Sequence, residues 1–103
     1  MKTEEPTKVM FRWERDGSYK GVLALVPAVA GNRDPSTCSC YAHVGQHSAA
    51  DYLSVMERSR AATIEEYSNL ATELRRIGYN LKIVFRSSRD DYVERCKQVR
   101  RTA

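Results

Sequence analysis

The chain has 103 residues, of which 42% are hydrophobic and 29% are charged, and its formal net charge at pH 7 is +4. This composition predicts an ordinary soluble globular domain with one core. The small positive charge argues against a DNA mimic, which needs a strongly acidic face, and by itself it does not establish nucleic-acid binding.

The cysteines and the N-terminal segment predict an intracellular protein. The number of cysteines is odd, and Cys38 and Cys40 are too close in sequence for an ordinary disulfide with each other, so we expect free thiols in a reducing compartment. Residues 1–7 are polar and are predicted to be disordered, without the apolar core of a signal peptide. No apolar run reaches the roughly 18 residues of a membrane span, so we expect a cytoplasmic protein with one domain over residues 8–103.

The first elements in the chain are predicted to form a β-hairpin. Apolar and polar residues alternate over residues 9–14, as in a strand with one buried face. Asp16-Gly17 is a hairpin signal. The apolar run at residues 22–29 is typical of a central strand, which Pro27 should end because proline cannot donate a ladder hydrogen bond.

After a loop at residues 30–37, the stretch CSCYAHV predicts a third strand. Its alternation places Cys38 and Cys40 on one face and Tyr41 and His43 on the other, and Gly45 should end it. A short helix is predicted next. Ser48 and Asp51 have the spacing of a capping box, and the apolar residues of one helical face would be Ala49, Tyr52, Leu53 and Met56.

The clearest element is a helix that begins after Thr63 and ends at Gly78. Thr63 and Glu66 form a capping box, and Gly78 suits the left-handed residue after a helix. Its apolar stripe consists of Ile64, Tyr67, Leu70, Ala71, Leu74 and Ile77. A fourth strand over residues 81–86 would point Leu81, Ile83 and Phe85 to one face and Lys82, Val84 and Arg86 to the other.

The last predicted element is a basic helix at residues 88–101, capped by Ser88, with a narrow apolar seam of Tyr92, Val93, Cys96 and Val99. The element order is therefore β-β-β-(α)-α-β-α. This order predicts an α+β fold in which an antiparallel sheet of about four strands packs on one main helix.

The stretch CSCYAHVGQH raises two chemical hypotheses. Cys38, Cys40, His43 and His47 are zinc-ligand types, but a C-x-C pair on a strand points both sulfurs to one face and His43 to the other. A cysteine nucleophile would need an imidazole base, and a thiol in a core strand is normally inert. We therefore expect no metal, no cofactor and no enzymatic activity, with Cys38, Cys40 and Cys96 acting as packing residues, and a small metal- or thiol-dependent enzyme is the third-ranked alternative.

A third hypothesis is a binding site at the turn after the third strand. Gly45 permits a tight turn, and the open amides of a helix that starts at Ser48 would attract an anion. The ligand would be nucleotide-like, or the site would contact a host protein with tyrosine anchors. The predicted residues are Tyr41, His43, Gly45, Gln46, His47, Ser48, Asp51 and Tyr52. In the simpler alternative, Ser48 only caps the helix and both histidines are structural.

The C-terminal helix offers an alternative function. A contact with the phosphate backbone of nucleic acid would use Arg86, Arg89, Lys97, Arg100 and Arg101. The competing interpretation is a solvated helix, because its acids lie early and its bases late, as the helix dipole favours. No aromatic residue alternates with the bases, and no DNA-binding motif is recognisable.

Four segments, KVMFRW, LALVP, CSCYAHVGQHSAADY and ATIEEYSNLATELRRIGYNLKIVFR, together resemble a family of small uncharacterised proteins carried by phages and other bacterial mobile elements. The resemblance covers residues 8–86, and its most specific piece is YAHVGQHSAADY. It implies a non-enzymatic binding protein that inhibits a host defence system, such as CRISPR or nucleotide-signalling immunity. Such a protein would occupy a host protein surface or sequester an anionic ligand in the cytoplasm of the bacterial host.

Overall fold

A six-stranded sheet with helices on both faces forms the body of the protein, in a computed structural model that describes residues 6–16, 19–42 and 47–102. The α+β class predicted from the sequence is confirmed, and β4 and β5 are strands that the sequence did not predict. In chain order the elements are β1 (Thr7–Asp16), β2 (Tyr19–Ala30), β3 (Thr37–Tyr41), β4 (His47–Asp51), α1 (Tyr52–Arg58), β5 (Ser59–Ala61), α2 (Ile64–Arg76), β6 (Leu81–Ile83) and α3 (Arg89–Thr102).

The sheet has the strand order β4-β3-β2-β1-β5, and β6 also pairs with β1. The predicted hairpin is confirmed, because β1 and β2 pair antiparallel from Met10–Leu25 to Asp16–Tyr19. The outer edge of β1 is shared by two strands. β5 pairs antiparallel with its second half, and β6 pairs parallel with its first three residues. The sheet is thus antiparallel apart from β6.

Hydrophobic residues are buried on both faces of the sheet, which we call the first and second faces. On the first face, Phe11 stacks on Tyr67 of α2 with ring centroids 4.5 Å apart. On the second face, α1 contributes Val55 to a core with Met10, Leu23, Leu25, Cys38 and Cys40. The sequence predicted one buried face for β1. The other face is also buried because α1 and α3 cover it.

Two charged residues of β1 lie buried on the second face, and they give β1 its amphipathic sequence pattern. The Arg12 side chain is 8% exposed, and its Nε donates to Ser59 Oγ at 2.9 Å. The Glu14 carboxylate pairs with the guanidinium of Arg58. Buried charges require such partners, so the polar half of the alternation does not mark a solvent-facing surface here.

The capping box at the start of α2 is confirmed, since Glu66 N–H donates to Thr63 Oγ1 and Thr63 N–H donates to the Glu66 carboxylate. Gly78 follows the helix with a φ of +114°. The predicted apolar stripe is too long, because only the centre of α2 packs on the sheet. Ile64 is 69% exposed and Ile77 is 54% exposed.

β6 is shorter than predicted, and the residues after it reverse their expected faces. The strand ends at Ile83, and Val84 packs against the core of the second face. Phe85, predicted to share a face with Leu81 and Ile83, is 63% exposed. The reason is that the chain leaves the sheet at this point and crosses toward α3.

The helix predicted to start at Ser48 begins later. Residues 47–51 form β4 and pair antiparallel with β3 from Tyr41–His47 to Thr37–Asp51. Asp51 is the N-cap of α1, and its side chain accepts a hydrogen bond from the N–H of Ser54 at 3.0 Å. Pairing with β3 satisfies backbone groups that a helix at Ser48 would have left unpaired on that strand.

Pro27 does not end β2 but marks an irregularity within it. The pairing of β2 with β3 runs regularly to Val26–Ser39 and then shifts, so that Ala30 pairs with Cys38. Residues 27–29 therefore have no partner residues on β3, and we call them the bulge. Proline has no N–H to donate, which makes this the position where the ladder can be interrupted at least cost.

The last helix docks on this bulge through polar side chains. Arg95 Nη1 donates to the carbonyl of Pro27 at 2.5 Å, and Gln98 Nε2 donates to the carbonyl of Ala28 at 2.8 Å. Gln98 Oε1 accepts a hydrogen bond from the N–H of Ala30 at 2.7 Å. The predicted apolar seam of α3 is wrong in part. Its members Tyr92 and Val93 are 47% and 40% exposed, while Arg95 is 4% exposed.

Two predicted boundaries also change. β1 includes Thr7, which had been assigned to the disordered N-terminus, because its N–H donates to the carbonyl of Asn80 at 2.7 Å. α3 runs from Arg89 to Thr102, with Ser88 preceding it as predicted.

Across the described ranges, no helix has the length and apolar character needed to cross a membrane.

We predict that Gln98→Ala lowers the free energy of unfolding by about 1–3 kcal/mol, because it leaves the Ala28 carbonyl and the Ala30 N–H without partners. Urea unfolding of the purified protein measures the change. The matched control is Lys97→Ala, the exposed neighbouring residue, which should stay within about 0.5 kcal/mol of the wild type. Equal effects of the two substitutions would contradict polar docking of α3.

Candidate functional site

The predicted turn site is only partly covered by the structure. His43, Gly45 and Gln46 lie outside the described residues, as does the side chain of His47. The backbone of His47 belongs to β4, so a strand and not a helix N-terminus follows the turn. The open helical amides that the anion hypothesis placed there are therefore absent from residues 47–51.

The remaining predicted site residues do not converge. Tyr41 is buried in the core of the first face, and its hydroxyl donates to the carboxylate of Glu73 in α2. Ser48 is exposed on β4, and Asp51 caps α1. Tyr52 packs against the opposite face of the sheet from Tyr41, and its hydroxyl accepts a hydrogen bond from the N–H of Ser87 at 3.1 Å.

The thiols of β3 are core groups, as the strand alternation predicted. Cys38 and Cys40 both lie in the core of the second face. Burial raises the pKa of the Cys38 thiol to about 11, and burial likewise raises the pKa of Cys40. Both are protonated at neutral pH and weak nucleophiles. Within the part of the chain that the structure describes, no three His, Cys, Asp or Glu side chains are grouped as metal ligands.

A pocket of about 250 Å³ opens where α1 meets the start of α3, and we call it the Arg95 pocket. Tyr52 and Leu53 form the α1 side, and Tyr92 and Arg95 form the α3 side. Ser36, Ser87 and Ser88 complete the lining. Leu53 is 69% exposed and stands at the rim, whereas Arg95 is 4% exposed and lies at the base.

Arg95 is held in place without being neutralised. Its Nε donates to the carbonyl of Pro35 at 2.7 Å, and its Nη1 donates to the carbonyl of Pro27 at 2.5 Å. The guanidinium carbon lies 5.9 Å from the ring centroid of Tyr52 and 5.5 Å from that of Tyr92. Carbonyl dipoles and aromatic faces orient a cation, but they carry no net charge to balance it.

Asp91, one helical turn before Arg95, is already committed to other partners. Lys8 Nζ donates to its Oδ1 at 2.7 Å, and the N–H of Ser88 and the hydroxyl of Ser87 donate to its Oδ2. Burial opposes the ionised form, but these hydrogen bonds outweigh it and lower the pKa of Asp91. No ion pair joins Arg95 to a carboxylate among the described residues.

Of the five N–H donors on a guanidinium, three remain on Arg95 after its two carbonyl contacts, counting only partners that the structure describes. A hollow near Trp13 gives the contrast. It is also lined by arginines, Arg58 and Arg60, but these pair with Glu14 and Glu66. The Arg95 pocket therefore combines a buried cation, unused donors and apolar aromatic walls, which is the chemistry of an anion-binding site.

Sequence reasoning found only Tyr52 of this pocket. Tyr92 had been assigned to the apolar seam of the last helix, and Arg95 was not among the predicted site residues. The missed signal is the spacing of Asp91, Arg95 and Gln98 at i, i+4 and i+7, which places three polar residues on one helical face. Such a stripe indicates a docking face when the neighbouring apolar residues form no wide face of their own.

No protein-family model, no curated protein and no solved structure matches the chain. The interpretation of the pocket therefore depends on its own geometry.

We predict that only Cys96 of the three cysteines reacts readily with a thiol reagent in the folded protein, because Cys38 and Cys40 are buried and Cys96 is partly exposed. Reaction with Ellman's reagent should modify one thiol per native chain and three after unfolding in denaturant. Cys96→Ser should abolish the reaction of the native protein. Rapid modification of Cys38 or Cys40 in that folded variant would contradict the prediction and support the nucleophile hypothesis for β3.

Proposed function

We propose that this protein is a non-enzymatic binding protein that captures an anionic group of a ligand or partner in the Arg95 pocket. The observation that supports it is the buried Arg95 guanidinium, which has unused donors and no carboxylate partner among the described residues. A buried charge without a counter-charge is costly, and the cost falls when an anion enters.

The energetic gain from such a ligand would be concentrated at Arg95. A hydrogen bond to a charged group contributes about 1.5–3 kcal/mol, and the guanidinium can offer a carboxylate or a phosphate two parallel donors. The Tyr52 and Tyr92 side chains and Leu53 would add apolar contact around that bond. Arginine and tyrosine are also the residue types that dominate binding energy at protein interfaces.

The resemblance of residues 8–86 to small phage and mobile-element proteins supports a biological setting for this proposal. In that setting the protein inhibits a host defence system, such as CRISPR or nucleotide-signalling immunity, in the cytoplasm of a bacterial host. It would act by occupying a host protein surface or by sequestering an anionic ligand. Tyr52 and Leu53 lie within the resembling region, while Tyr92 and Arg95 belong to the C-terminal segment beyond it.

We predict that a small aromatic anion stabilises the protein by mass action. Thermal unfolding would be measured with phenylacetate, phenyl phosphate or benzenesulfonate, and with neutral phenylacetamide. At about 100 times its Kd, a bound anion adds about 2.7 kcal/mol to the free energy of unfolding and raises the Tm accordingly. Phenylacetamide should give no comparable shift, since it cannot balance the charge of Arg95.

A charge at the rim provides the control for this experiment. Leu53→Glu places a carboxylate beside the pocket at a side chain that is 69% exposed, so it should remove the anion-dependent shift without unfolding the protein. Val93→Glu makes the same change at an exposed residue of α3 outside the pocket lining and should keep the shift. The absence of a shift with every anion, or its persistence in Leu53→Glu, would eliminate the pocket as the working site.

A second candidate function is a contact with nucleic acid. Arg89, Lys97, Arg100 and Arg101 are all exposed on α3, and Arg86 is exposed just before it. Because Arg95 and Gln98 hold the opposite side of α3 against β2, the basic residues are presented outward. This arrangement supports a sequence-independent contact with phosphates.

We predict that any such binding to duplex DNA weakens linearly in a plot of log affinity against log salt concentration. Replacing Lys97, Arg100 and Arg101 by Gln should weaken binding and reduce the slope by up to about 0.9 for each phosphate that the variant no longer neutralises. Fluorescence anisotropy with a labelled duplex measures both quantities. Replacing Arg75 and Arg76, two exposed bases at the end of α2, is the control. Binding that does not depend on salt, or an equal effect of the control, would remove this candidate.

A further inference from the structure

We infer that the group bound in the Arg95 pocket is the terminal carboxylate of a polypeptide whose last residue is apolar. This inference rests on the proposed function, and it adds the chemical class of the ligand. Three properties of the pocket lead to it: its net charge, the direction of its hydrogen bonds and its size.

The charge of the pocket fits a monoanion. Among the described residues, Arg95 is the one cationic residue that lines it. Two carboxylates contact the lining: Asp34 accepts hydrogen bonds from Ser36, and Asp91 accepts them from Ser87 and Ser88. A phosphate monoester carries nearly two negative charges at neutral pH, so its second charge would face these carboxylates without a counter-charge.

Two serine hydroxyls that line the pocket, those of Ser36 and Ser87, are oriented as acceptors. Ser36 Oγ already donates to Asp34 at 2.7 Å, and Ser87 Oγ donates to Asp91 at 3.1 Å. Their oxygen atoms can still accept hydrogen bonds, which suits a ligand N–H. A phosphate oxygen, by contrast, could not accept a hydrogen bond from these two hydroxyls, whose hydrogens are already used. A C-terminal residue can satisfy both kinds of group in the pocket. Its carboxylate accepts hydrogen bonds from Arg95, and its amide N–H, which lies next to that carboxylate, can donate to a serine oxygen.

At the start of α3, a carboxylate of the chain itself already caps the helix. The N–H of Ser88 donates to Asp91 Oδ2 at 2.9 Å. The Asp91 carboxylate therefore occupies the positive end of the helix dipole, where a ligand phosphate would otherwise bind. Recognition of the ligand charge is left to Arg95.

The size of the pocket fits one residue. Its volume of about 250 Å³ is below the roughly 300–1,000 Å³ of pockets for drug-sized ligands. Tyr52, Leu53 and Tyr92 form apolar walls for a side chain such as that of Phe or Leu. Leu53 and Tyr92 are exposed at the rim, so the preceding residues of a peptide could leave toward solvent. Capture of a C-terminal carboxylate is a recurring mode of peptide recognition.

The test compares a short labelled peptide that ends in a free C-terminal Phe with the same peptide ending in Phe-amide, using fluorescence anisotropy. We expect the free acid to bind and the amide to bind at least about tenfold more weakly, because one charge-assisted hydrogen bond is worth about that factor. A peptide ending in Asp should also bind weakly, since its second carboxylate would face the same acidic surroundings.

Pocket variants locate the binding. Leu53→Glu and Tyr92→Ala alter exposed residues of the lining and should each weaken binding of the free acid at least about tenfold. Val93→Ala, an exposed residue of α3 outside the lining, should bind like the wild type. Arg95 itself is avoided as the primary variant, because its substitution would also loosen α3 from β2.

The outcomes separate this inference from the proposed function. Equal affinity of acid and amide, or unchanged affinity in both pocket variants, overturns the carboxylate assignment. Binding of phenyl phosphate without binding of the peptide acid overturns it too, but keeps the pocket as an anion site. If phenylacetate, which lacks the amide N–H of a C-terminal residue, binds as tightly as the peptide, the ligand is a small free acid and the polypeptide part is wrong. If no anionic probe binds, both the proposed function and this inference are refuted.

Discussion

The hydrogen bonds between α3 and the bulge of β2 are the constraint on which the second face of the protein depends. Where pairing with β3 is interrupted, the carbonyls of Pro27 and Ala28 and the N–H of Ala30 find side-chain partners in Arg95 and Gln98. Buried backbone groups are costly without partners, so the bulge and the helix require each other. Because α3 is fixed in this way, Tyr92 and Arg95 line the same pocket as Tyr52 and Leu53 of α1.

The same hydrogen bonds create the chemistry of that pocket. Neutral carbonyls satisfy two donors of Arg95 and hold the guanidinium rigidly, but they do not balance its charge. Asp91 lies one helical turn from Arg95, but its carboxylate accepts hydrogen bonds from Lys8, Ser87 and Ser88 and does not pair with Arg95. The interaction that positions the helix thus leaves a preorganised cation at the base of an aromatic cleft. Preorganisation of this kind reduces the entropy cost of binding, which favours recognition of a small group.

Local signals predicted the parts of the fold that depend on neighbouring residues alone. The capping box at Thr63 and the pairing of the first two strands as a hairpin are of this kind, and both agree with the structure. The prediction at Ser48 was wrong because residues 47–51 gain more from pairing with β3 than from starting a helix. The prediction that Pro27 ends β2 was wrong for a related reason, since α3 provides partners for the chain beyond it. Both errors arise from interactions with residues distant in sequence, which a local pattern does not contain.

The sequence by itself determined the α+β class, the hairpin, the main helix and the outward basic residues, because periodicity, caps and charge act over a few neighbouring positions. It also determined that Cys38 and Cys40 share a face, since strand alternation fixes that geometry. Only the tertiary structure decided which residues form the site. Tyr52 and Arg95 are far apart in the chain, and whether Arg95 is solvated or buried depends on the bulge that receives it. The net charge of a pocket is a property of all the groups that converge there, and that convergence exists only after folding.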